Sequence, residues 1–389
     1  IYKCFMNKNI QLNKLSLNLA TSLLAIILIV FILYITQTVV VPILFSVIVA
    51  VMVFPLAKIL ERIGFNRTFS TIISLILASA FFSGLSYVIV LQVVEIAKDA
   101  AMIVTKLEVL YKESLNWVTK TFNISQSELL DNALVELKEA FSTISKYAMT
   151  FFQSFGSVLT SFILIPIFAF FFLYYRDFFK SFFLKVFKST PREKVEDTLN
   201  KMYEALQNYI VGQLTVMFIV AILNTIGLYI LGIDHAWFFG VLASLLMILP
   251  YVGIAIGSIF PAIFALATMD SPYYALGVVG WFQVVQFLEG NFITPNIVGS
   301  KVSLNPMVSM LAIILGGMLF GFAGFILALP LAALLKVIFD SIPQLEAFGY
   351  LLGDPEIENK KMEEVENKNN LEEEEESSEL INSDDSTTN

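Results

Sequence analysis

Apolar side chains run along this chain in uninterrupted blocks, at 19–35, 39–56, 68–94, 151–175, 210–231, 237–268, 273–293 and 308–339. A helix needs about 20 apolar residues to cross a hydrocarbon layer about 30 Å thick, so each block predicts a membrane helix. Lipid offers no partners to backbone polar groups, which excludes irregular crossings. Blocks 237–268 and 308–339 are too long for one straight crossing, and proline and glycine interrupt both. If both cross once, the chain has eight spans. If both turn back, it has six spans and two re-entrant segments, 237–268 entering from outside and 308–330 from inside. Segment 294–306 separates the two: it is outside in the first and cytoplasmic in the second. The expected fold class is all-α, a polytopic helical membrane protein of six to eight spans.

Polar stretches divide these blocks into an organisation. Residues 1–18 are a cytoplasmic N-terminus, and 19–94 hold the first three membrane helices. The first block, flanked by Lys3, Lys8 and Lys14, reads as an uncleaved signal anchor, and the first two blocks as a helical hairpin. The chain opens on Ile1, and Met6 is the expected start. Residues 95–150 carry apolar positions at helical spacing, such as Leu107, Leu110, Tyr111 and Leu115. They predict an extracytoplasmic insertion of two amphipathic helices broken at 123–127. Residues 151–352 hold the remaining membrane helices, with a cytoplasmic loop at 176–208 and a transport core at 210–340. Residues 353–389 are an acidic tail too poor in apolar side chains to fold.

Composition sharpens this picture. Of 389 residues, 57% are hydrophobic and 15% charged, against about 25% charged in soluble domains. A soluble enzyme, a disulfide scaffold and a nucleic-acid-binding domain are therefore excluded. From Asp354 onward 14 acids face 3 bases, so the tail carries −11 of the net −9 and the body is +2. Basic clusters set orientation. Lys3, Lys8 and Lys14, then Lys58, Arg62 and Arg67, then the seven bases of 176–208 recur after two blocks each time, which places them all in the cytoplasm.

Candidate chemistry is sparse. Cys4 is the sole cysteine and His235 the sole histidine, so no zinc-type site, metal or cofactor is expected. No phosphate-binding lysine loop occurs, and no catalytic residue is expected: the chain is not read as an enzyme. An ionisable residue inside a membrane block should face protein or water. Glu289 is the clearest case. Gln283, Gln286 and Glu289 follow at i, i+3 and i+6, sharing an arc of about 120°, with Asn291 and Asn296 beyond. This stripe either lines a solute or ion path or supplies hydrogen bonds between helices. The second feature is a pair of broken segments. Pro250, Gly253, Gly257 and Pro261 interrupt one, and Gly316, Gly317, Gly321, Gly324 and Pro330 the other, with Pro295 between them. Paired breaks of this kind point to a transporter binding site, and equally allow close helix packing.

At these residues the chain resembles the AI-2E transporters. Three stretches carry the likeness: Tyr209-Ile210-Val211-Gly212-Gln213; Pro250-Tyr251-Val252-Gly253 with Gly257 and Pro261-Ala262; and Gly290-Asn291-Phe292-Ile293-Thr294-Pro295-Asn296-Ile297-Val298-Gly299, continued by Gly316-Gly317, Gly321, Gly324 and Ala328-Leu329-Pro330. The resemblance covers roughly 19–352. It implies a multi-pass protein of the bacterial inner membrane, homo-oligomeric, moving small solutes or ions without ATP; the basic clusters place both termini in the cytoplasm. Lipid and a small solute are then the expected partners, and nucleic acid is not. The leading expectation is a transporter or facilitator of a small polar solute. The alternatives are a sodium (cation)/proton antiporter using Glu289 and a membrane scaffold.

Overall fold

The computed structural model describes residues 20–98, 100–122, 163–248, 252–299, 304–355 and 359. The expectations for 1–18, for the break at 123–127 and the helix after it, for Pro250 and for nearly all of the acidic tail lie outside these residues. The described elements are helical: α1 (Ala20–Ile35), α2 (Gln37–Arg62), α3 (Arg67–Lys98), α4 (Ala100–Phe122), α5 (Leu164–Tyr174), α6 (Arg176–Val186), α7 (Arg192–Ile230), α8 (Ala236–Leu246), α9 (Val252–Thr268) and α10 (Tyr273–Leu288). Two π-helical turns follow, Glu289–Ile293 and Pro295–Gly299, then α11 (Pro306–Ser341) and α12 (Glu346–Leu352).

Surface apolarity fits a bilayer. Within its most apolar window α3 is only 11% buried by the protein, and Phe81 and Tyr273 are 67% and 78% exposed. An apolar face of that size needs a non-aqueous surrounding. The chain is an all-α, multi-pass membrane protein. One early expectation fails. The first two blocks do not form a hairpin, because the helical ladder passes through their junction: Thr36 N–H donates to Ile32 O at 2.9 Å and Val40 N–H to Thr36 O at 3.0 Å. Thr36 (φ −91°, ψ 12°) bends the rod without reversing it, since no loop residues separate the blocks.

Both long blocks do reverse. α8 and α9 form hairpin 1. A methyl on Gly257 would lie 2.9 Å from Ala243 Cβ, and the rings of Phe239 and Phe264 meet at 5.2 Å. Their legs, at 1.5 Å per residue, are about 17 and 26 Å long, too short for a crossing of about 30 Å. α11 is hairpin 2. Gly321 adopts φ 60°, ψ −137°, a conformation open to glycine and not to side chains, and the helix folds back there. A methyl on Gly316 would lie 3.1 Å from Ala328 Cβ, whereas a straight helix would separate these residues by about 18 Å.

α7 is the axis of the fold. It runs about 58 Å, touching α2, α6, α8, α10, the second π turn and α11. At one end, charged side chains tie the elements together. Arg176 donates twice to Glu61 (3.0 and 2.8 Å), Arg67 pairs with Asp177 at 2.7 Å, and Lys180 with Glu196 at 3.0 Å. The basic clusters of 58–67 and 176–201 therefore share one face. His235 marks the opposite end: its Nδ1 lies 3.1 Å from Gln92 Oε1, near the end of α3. Hairpin 1 has its base there. Hairpin 2 follows the π turns, the second of which packs at the middle of α7, against Gly212.

Candidate functional site

The site forms where α10 loses its α-helical register. Ala275, Val278, Phe282 and Val285 bury one face of α10, and Trp281 fastens it to α7 by donating its Nε1–H to Leu223 O at 3.1 Å. A methyl on Gly227 would overlap that indole ring, so the glycine is a seat for Trp281. From Glu289 onward the backbone takes π turns, which recur at functional sites. The i→i+5 closure of a π turn brings residue i+5 over residue i. Thr294 accordingly donates its hydroxyl to Glu289 Oε1, while Gln286 Nε2 donates to Oε2 at 2.9 Å. Glu289 is 8% exposed and, among the described residues, forms no ion pair. Two neutral donors offset part of the cost of burying a carboxylate. The cluster therefore offers an acidic group inside the protein that is not ion-paired among the described residues.

The second π turn rests on α7. A methyl on Gly212 would meet Val298 Cγ2 at 3.0 Å and Ile297 O at 3.5 Å, so only a hydrogen fits there without displacement. Val216, Val220, Met247, Val285 and Val298 form an apolar floor contributed by α7, the end of hairpin 1, α10 and the π turn.

The polar residues singled out in the sequence separate into two groups. Gln286 and Glu289 converge. Gln283 is exposed, about 60° round α10 from Gln286, and Asn291 and Asn296, also exposed, donate to Phe287 O (2.9 Å) and Phe292 O (2.7 Å). These two amides satisfy backbone carbonyls of the π stretch. Among the glycines, Gly253 and Gly257 sit at the crossing of hairpin 1, Gly316, Gly317 and Gly324 at that of hairpin 2, and Gly321 at its tip. Pro261 and Pro330 are buried inside hairpin legs, and Pro295 opens the second π turn.

Three residues escaped the sequence reading. Thr294 is five positions from Glu289, a spacing that no α-helical face brings together. Asn224, an amide in the middle of an apolar block, is 3% exposed and its Oδ1 has no partner. Lys336, 6% exposed, lies in the second leg of hairpin 2, 2.8 Å from Asp340 and 3.4 Å from Gly349 O. α12 covers this pair, and its end is clipped to the base of hairpin 2: Asn305 N–H donates to Leu352 O at 2.9 Å and Leu304 bridges Gly353. Among the described residues no group of three or more His, Cys, Asp or Glu could hold a metal.

The π turns and both hairpins fall within residues 23–344, which match the family described as AI-2E family transporter. The chain belongs to that family. Similar proteins include "Putative transport protein YrrI" of Bacillus subtilis (strain 168), 25% identical over 77% of this chain and 86% of that protein. A Haemophilus influenzae protein named "Putative transport protein" is 23% identical over 90% of this chain and 99% of its own length. "AI-2 transport protein TqsA" of Escherichia coli (strain K12) is 25% identical over 40% of this chain and 45% of that protein. Membership of the AI-2E family supports a role in transport.

Proposed function

We propose that this AI-2E member passes a small polar solute across the bacterial inner membrane as a secondary transporter or facilitator, with Gln286, Glu289 and Thr294 as the contact point. The observation that carries the reading is the buried Glu289 carboxylate, held by two neutral donors at a π turn and without an ion pair among the described residues. The hairpins support it. Helices that end inside the protein free backbone groups for a passenger, and both hairpins pack on α7 beside the π turns. Rocking of one against the other would expose the cluster to each side in turn. The shared basic face is the cytoplasmic one in this reading.

The test is flux of candidate solutes into proteoliposomes. Hydrogen bonds to a charged group are worth about 1.5–3 kcal/mol, so Glu289→Gln should lower flux about 10–150-fold while insertion and melting temperature persist. Undiminished flux would refute the assignment. The lack of an ion pair among the described residues also favours cation/proton exchange at the same carboxylate. In that case imposed sodium and pH gradients drive counterflow in the wild-type protein and none in Glu289→Gln.

A further inference from the structure

The segment α6, Arg-Asp-Phe-Phe-Lys-Ser-Phe-Phe-Leu-Lys-Val, has no buried residue. Helical spacing gathers Phe178, Phe179, Phe182, Phe183 and Val186 on one broad arc that Tyr175 opens, with Asp177, Ser181 and Leu184 opposite; Lys188 follows just past the end of the helix. Phe178, Phe182 and Val186 are 67%, 51% and 55% exposed. Lys180 and Lys185 stand at the two edges of the apolar arc. Lys180 is drawn to Glu196 of α7, but among the described residues neither Lys185 nor Lys188 is ion-paired. Among the described residues nothing covers this exposed aromatic arc or pairs with Lys185 and Lys188 beside it.

Its position says what that partner is. α5 is an apolar helix, and the chain bends at Tyr175 (φ −93°, ψ 19°) before α6 begins. The bend lies beside the Arg176–Glu61 and Arg67–Asp177 pairs, just past the point where the apolar block of α2 ends at Leu56. Tyr174, Tyr175 and Phe178 cluster there and line an open cleft with Asn66 and Arg67. Aromatic rings of this kind sit at headgroup level. A helix that leaves a membrane helix at that level, with an apolar arc on one side and lysines at its edges, matches an interfacial amphipathic helix. Free lysines complement anionic phosphate headgroups.

We infer that α6 is a membrane-surface anchor whose Phe178–Phe182–Val186 arc enters the headgroup boundary and whose Lys185 and Lys188 bind anionic lipid. The anchor fixes the height of α7 through Lys180–Glu196, and α7 in turn carries the floor of the candidate site. The inference rests on the multi-pass membrane fold and is independent of the role given to Glu289.

The experiment uses the full chain in a Cys4→Ser background with one new cysteine, Phe182→Cys or Ser181→Cys, carrying an environment-sensitive fluorophore. Both positions are exposed, so neither change disturbs packing. The protein is reconstituted in phosphatidylcholine alone and in equal parts phosphatidylcholine and phosphatidylglycerol. The label at 182 should be quenched by brominated acyl chains and shielded from aqueous iodide, and the label at 181 should show the reverse. Adding Lys185→Glu and Lys188→Glu should move the label at 182 outward in the mixed vesicles and leave it in place in phosphatidylcholine alone. Iodide reaching 182 as freely as 181 would overturn the anchor. Shielding of 182 from both quenchers would overturn it too, because a protein surface would then cover the arc. A depth indifferent to the charge reversal in mixed vesicles would overturn the anionic-lipid assignment.

Discussion

The crossing of hairpin 2 can be tested at Gly316, where the structure sets the size of the effect. A methyl there would lie 2.6 Å from Gly324 O, 3.1 Å from Ala328 Cβ and 3.3 Å from Gly324 C. Carbon contacts are most favourable near 3.5–4.0 Å, so the two legs must part by several tenths of an ångström, and the obstacle is largely backbone. Overpacking of this kind costs about 1–3 kcal/mol. Alanine recovers about 1 kcal/mol through its better helix propensity, which leaves a net loss of up to about 2 kcal/mol. At about 2–4 °C per kcal/mol, Gly316→Ala should lower the melting temperature in detergent by no more than about 8 °C, and Gly316→Leu by clearly more. Gly84→Ala is the control, since nothing lies within 4 Å of its added methyl. Equal melting temperatures for Gly316→Leu and Gly84→Ala would show that the legs do not cross there.

Further outcomes follow from single contacts. Asn224→Leu removes a buried carbonyl that lacks a partner among the described residues. It should raise stability by about 1–3 kcal/mol; a loss of stability in thermal melts would mean the amide is satisfied. Asp340→Asn removes the carboxylate 2.8 Å from the buried Lys336 and should cost about 1–3 kcal/mol, softened by the 43% exposure of Asp340. Lys336→Met should cost less, and the reverse order in thermal melts would contradict the pairing. Gly227→Ala displaces the Trp281 ring from its seat on α7, so indole fluorescence should shift and flux fall; an unchanged spectrum would remove Trp281 from the contact.

The membrane character, the position of most helices and the two breaks were legible in the sequence, because hydrophobic block length and glycine or proline placement are local properties. Which way the broken blocks turn was not. Reversal depends on Gly316 meeting Gly324 and on Ala243 meeting Gly257, contacts between residues that no local pattern pairs. The junction at Thr36 misled for the opposite reason: three polar residues resembled a turn, yet their backbone hydrogen bonds continue the helix. At the site, Gln286 and Glu289 were visible as an intramembrane polar pair. Gln283 was grouped with them on α-helical spacing but lies at the exposed edge of their arc, and Thr294 was missed on the same spacing because the π turn shifts the register after Leu288. Lys336 was hidden by the length of its apolar block.

The account stands on water reaching the Glu289 cluster from both faces. Thr294→Cys in a Cys4→Ser background places one thiol against Glu289, and membrane-impermeant thiol reagents can be applied to right-side-out and inverted vesicles separately. Labelling from either side, slowed by a transported solute, is the expected result. A thiol that reacts from neither side, in folded protein that still transports, would show a dry helix contact and contradict the account.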